Sequence, residues 1–115
     1  MRPFADIFPA DNIRHVFVGQ DAGKGMYAKE LRIPAGFSLI SHSHTYDHLS
    51  VLASGTVLWT SGDRPARALG GPCAVTVEAG VEHALYAVTD AVWYCIHPTD
   101  ETDPAKVDAV ILQGA

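Results

Sequence analysis

Basic residues are the minority charge in this chain. Eight Lys and Arg stand against 13 Asp and Glu, for a formal net charge of −5. That balance argues against nucleic acid or an anionic membrane surface as a partner. Long hydrophobic runs are missing as well. The longest, Ala91 to Ile96, falls far short of the ~20 apolar residues a membrane-crossing helix needs. The first twenty residues carry Pro3, Asp6, Pro9 and Asp11 and no extended apolar core, so no signal peptide is expected. A cytoplasmic setting follows as the default. Cysteine is scarce, with only Cys73 and Cys95. Each lies inside an apolar run, and both are read as small buried hydrophobes rather than as a disulfide or sulfur ligands.

What remains is enough for one real core. Of the 115 residues, 48% are hydrophobic, which suits a single domain covering 1–115. Turn-formers interrupt the chain every six to ten residues, among them Gly19, Pro34 to Gly36, Ser54-Gly55, Gly70 to Pro72 and Ala79-Gly80. Between them lie short runs rich in Val, Ile, Leu, Tyr and Trp. The spacing predicts strands near 13–18, 26–33, 37–42, 47–53, 56–60, 65–69, 73–77, 84–88 and 91–97. Many short strands at this interval indicate an all-β antiparallel sandwich or barrel. Helix is expected only at the end, where Asp103 can cap, Pro104 fits the first position, and Val107, Val110 and Ile111 recur at helical spacing.

The six histidines are unevenly placed. His42, His44 and His48 fall within seven positions, and His83 follows the glycine step at Gly80. Neutral imidazole is the commonest protein ligand for transition metals. His42 and His44, two apart on a strand, would share one face. A tight Thr45-Tyr46-Asp47 connection can return His48 beside them, while His83 must arrive from another strand. Metal binding is therefore expected of the cluster, against the plainer reading that one or two of the four are merely hydrogen-bonded.

The run Gly36-Phe-Ser-Leu-Ile-Ser-His42-Ser-His44-Thr-Tyr-Asp-His48-Leu-Ser-Val-Leu-Ala-Ser-Gly55 resembles the first motif of the cupin superfamily. His48 stands where that motif has a glutamate. The second motif is more degraded. Glu78-Ala79-Gly80-Val81-Glu82-His83 keeps the glycine and histidine, but Glu78 replaces a proline and Ala87 an asparagine. The resemblance implies a cupin-type antiparallel β-barrel (a double-stranded β-helix or jelly roll) with a metal in one mouth, of the small single-domain, four-histidine type. It assigns the ligand role to His42, His44, His48 and His83.

Four neutral nitrogens leave a divalent ion its full charge and move preference from Mg²⁺ and Ca²⁺ toward one divalent transition metal: Fe, Mn, Zn, Ni, Cu or Co. Ser41, Ser43, Tyr46 and Ser50 are candidates for orienting the imidazoles. Tyr46 is also the candidate catalytic proton donor, against its plain reading as a loop tyrosine. Asp47 and Glu82 are expected to face solvent. Glu30 and Arg32 share a strand face, read as a surface ion pair in preference to a buried one. His15 and His97 are read as structural or exposed. Phe37, Trp59, Tyr86, Trp93 and Tyr94 are assigned mostly to the core.

The function expected first is a metal-dependent oxidoreductase, dioxygenase-like, acting on a small organic substrate. The alternatives are a non-redox isomerase or lyase using the ion as a Lewis acid, and a non-catalytic module that binds a metal or small ligand. Exposed sheet edges predict a homodimer, with the N-terminal strand and C-terminal helix as the material of its interface.

Overall fold

The computed structural model describes residues 10–41 and 45–107. Nine strands form, close to where the punctuation places them: β1 (Ile13–Val18), β2 (Met26–Ile33), β3 (Ser38–Ser41), β4 (His48–Ser54), β5 (Thr56–Ser61), β6 (Arg67–Gly70), β7 (Cys73–Val77), β8 (His83–Ala87) and β9 (Ala91–Pro98). They make two antiparallel sheets, one in the order β1-β2-β9-β4-β7 and the other β3-β8-β5-β6. No helix among the described residues is long and apolar enough to cross a membrane.

Period-two alternation separates the faces. On β2, Leu31 and Ile33 point into the core, and in register with them on β9 stand Trp93 and Ala91. Leu52 of β4 extends that row by pairing with Trp93. The facing sheet contributes Leu39, Val57, Trp59, Leu85 and Ala87. Trp59 and Trp93 meet across the gap with centroids 5.3 Å apart. Gly55 makes the β4–β5 turn. Its φ of 93° favours glycine, and a Cβ there would lie 2.3 Å from the Asp90 carbonyl oxygen.

Several expectations are corrected. The sheets do not close into a barrel; backbone pairing among the described strands runs only within each sheet. The two layers are joined by side chains packed face to face, and edge strands β3 and β6, four residues each, are short for a continuous ladder. The C-terminal helix is not seen beyond one turn. Asp103 Oδ1 accepts the Ala105 N–H at 2.8 Å and its carbonyl accepts those of Lys106 and Val107 at 3.0 Å. Residues 108–112 lie outside the described set. Phe37 and Tyr86 are exposed, because Tyr86 sits between the inward residues Leu85 and Ala87.

Tyr94 likewise faces outward, donating its hydroxyl to Glu30. Glu30 is more enclosed than a surface pair implies, at 4% exposure. Arg14 at 2.9 Å and Arg32 at 3.3 Å cover it from the outer face. The Tyr94 hydrogen bond and the two guanidinium groups hold its carboxyl below the ordinary value, against the opposing effect of burial. Neither Cys73 nor Cys95 is in a disulfide, and both pack against the core.

Candidate metal centre

At the end of the sandwich away from Gly55, the inner faces turn polar. Across the first sheet the terminal row reads Phe17, Tyr27, His97, His48 and Val77. Register fixes this order: Phe17 opposes Tyr27, Tyr27 opposes His97, and His48 opposes Val77. The pairing of Leu49 with Ile96 then brings His48 beside His97. Their ring centroids are 4.2 Å apart. Both imidazoles are buried, His97 at 1% exposure and His48 at 7%.

The facing sheet contributes His83 and Ser61, with the Ser41 backbone in register with His83. His83 is buried and stacks on Trp59, with centroids 5.1 Å apart and planes 24° apart. Its Nε2 accepts the Glu78 backbone N–H at 3.3 Å. Glu78 directly follows Val77, the register partner of His48. Two nominated histidines thus converge on one end from opposite sheets. Burial lowers the pKa of His83, partly opposed by the Val81 backbone and the Glu78 charge. That favours the neutral ring, the form that donates to a metal.

Two loops frame this end. Gly80, with φ of 71°, turns the chain toward His83. Asp47, exposed as expected, reaches across and accepts the Ala79 N–H at 2.8 Å, tying the approach to His48 to the glycine step. His42 and His44 lie outside the described residues. The strand that leads to them ends at Ser41, directly opposite His83. Among the described residues no group of three or more His, Cys, Asp or Glu is arranged to hold a metal. The described donors, buried imidazoles on facing walls, nevertheless have the chemistry a transition ion requires.

Tyr46 is placed by its hydroxyl, 2.8 Å from His97 Nδ1. Burial raises the pKa of that hydroxyl. The loop tyrosine thus makes a part-buried contact with the histidine whose ring lies against His48. His97 is the residue sequence reasoning missed. The alternation Ala91, Trp93, Cys95, His97 along β9 marks it as inward, but its meeting with His48 depends on cross-strand register. His15 is half-buried beside the Tyr27 hydroxyl, 2.6 Å from its Nδ1.

No protein-family model matches the chain, and no curated protein matches it. Solved structures do. An RmlC-like cupin with a double-stranded β-helix fold from Methanocaldococcus jannaschii aligns with TM-score 0.58 at 14% identity, over 88% of this chain and 92% of the other. The chain shares the cupin fold. A variant of Bacillus subtilis oxalate decarboxylase aligns with TM-score 0.64 at 15% identity, over 79% of this chain but only 26% of that larger cupin protein. A protein of unknown function from Streptococcus pyogenes aligns with TM-score 0.52 at 24% identity, and the chain spans 66% of its length. At these identities the cupin likeness is one of fold.

Proposed function

We propose that the chain is a four-histidine metal-binding cupin, with His42, His44, His48 and His83 as ligands. We further propose that it acts as a metal-dependent, dioxygenase-like oxidoreductase on a small organic molecule. The observation that carries this reading is the convergence of His48 and His83, buried and from facing sheets, at the end where β3 leads into His42 and His44. A redox-capable ion bound there would supply Lewis acidity and electron transfer to oxygen and substrate. The protein's part is to hold the imidazoles in place. Trp59 stacks on His83, and the His97 ring lies tilted against His48 with centroids 4.2 Å apart. The long Glu78 N–H contact to His83 Nε2 is weak enough for an ion to replace it.

A second reading has its own support. The Tyr46 hydroxyl on His97 sets a proton-carrying pair beside His48, as isomerase or lyase chemistry with a Lewis-acidic ion would require. The two readings separate on oxygen. Protein loaded with Fe(II) or Mn(II) and offered small enols, diketones and phenols should consume O₂ in step with substrate loss. Turnover with Zn(II) under anaerobic conditions would favour the second reading instead. A homodimer and a cytoplasmic location remain part of the proposal, the former tested by light scattering.

A further inference from the structure

Two hydroxyls stand out in the polar layer. Ser50 is fully buried and Ser61 is 8% exposed, and the Oγ of each lacks a hydrogen-bond partner among the described residues. Enclosing a hydroxyl without a partner is costly, and two of them lie in one region. Ser50 follows His48 by two residues on the same face of β4, and Ser61 is the cross-strand neighbour of His83. Ser50 precedes Gly55 by five residues and Ser61 follows it by six. At ~3.3 Å of rise per residue, the two hydroxyls reach nearly equal depth on facing walls.

The same depth holds a cation. Lys29 is 7% exposed on the inward face of β2, between Tyr27 and Leu31. It opposes Cys95, which opposes Ser50. Two strand spacings, about 10 Å, separate Lys29 from Ser50, a gap that the lysine side chain and a molecule of a few atoms together bridge.

We propose that Ser50, Ser61 and Lys29 form the substrate subsite beside the histidines, and that its ligand is a small organic carboxylate. The hydroxyls hydrogen-bond ligand oxygens and the ammonium offsets the carboxylate charge. The inference rests on reading this layer as the reaction site, and it narrows the substrate class from any small organic molecule to an anion.

The test measures binding of oxalate, malonate and pyruvate, with their neutral amides as controls, by calorimetry on metal-loaded and metal-free protein. The carboxylates should bind and the amides should not. Ser50→Ala and Ser61→Ala should each weaken carboxylate binding about tenfold while leaving the unfolding temperature of the ligand-free protein unchanged or raised. A merely structural hydroxyl would lower that temperature instead. Lys29→Met should weaken binding by roughly 30-fold, and Lys29→Arg, which keeps the charge, should retain most of it. Equal binding of carboxylates and amides, or carboxylate affinity indifferent to all three positions, overturns the proposal even if the histidines bind metal. Carboxylate binding that depends on these residues in protein unable to hold a metal upholds the subsite and overturns the metal reading alone.

Discussion

The two ends of the sandwich are built from the same strands and do opposite things. On β4, Leu52 and His48 share a face four residues apart. Leu52 is sealed among Leu31, Trp93 and Val57, while His48 lies against another imidazole. On β5 and β9 the same change runs from Val57 to Ser61 and from Ala91 to His97. The apolar end supplies the non-directional burial that holds the layers together. The polar end spends burial on groups that each need a partner. Apolar packing and buried polar groups are thereby separated along the strands, and substitutions at the two ends should have different signatures.

The sharpest contrast is between those two β4 residues. Leu52→Ala should cost about 2–5 kcal/mol in chemical denaturation, the usual toll of emptying a sealed core position. His48→Ala, measured without metal, should cost much less. Equal losses would erase the distinction. Gly55→Ala should come next, at about 1–3 kcal/mol for the left-handed backbone, aggravated by the approach to the Asp90 carbonyl. Because that turn lies far from the histidines, metal affinity of the folded fraction should be unchanged.

At the polar end, Tyr46→Phe deletes the hydroxyl on His97 and should cost about 1 kcal/mol of stability. It should also weaken metal binding, but by less than the roughly tenfold effect of removing a partner bonded directly to a ligand, because His97 meets His48 only by ring contact. Unaltered metal affinity would leave Tyr46 a structural residue only. The smallest effect concerns the outer face. The carboxyl of Glu30 is held below its ordinary value of 4.5, chiefly by Tyr94. Its contribution is fully present above that value and is lost as pH falls below it, through the lowered folded-state value. Glu30→Gln should flatten this acid limb, visible in unfolding midpoints between neutral pH and about pH 3. A limb of the same slope in the variant would show that other carboxylates carry it.

The strands were legible because glycine, proline and Ser-Gly steps punctuate the chain at lengths only short strands fit. The sequence sets His42, His44 and His48 within seven positions, but of these only His48 lies among the described residues. His97 was not legible. It lies 49 residues beyond His48, and only the β4–β9 register joins them. Glu30 was misjudged for a related reason, since its cover comes from Arg14 on β1 and Tyr94 on β9. Alternation reveals that Tyr86 and Leu85 face opposite ways, but not which of them meets the other sheet. The closed barrel was overread because strand count and spacing do not distinguish ladders that meet from layers that only pack.

The most direct test is metal stoichiometry by elemental analysis after equilibrium dialysis, for the wild-type protein and for His48→Ala and His83→Ala. The account predicts one transition ion per chain in the wild type and its loss in both variants, each of which keeps its β-sheet circular dichroism. A wild-type protein that retains no ion, or variants that retain it undiminished, would contradict the account.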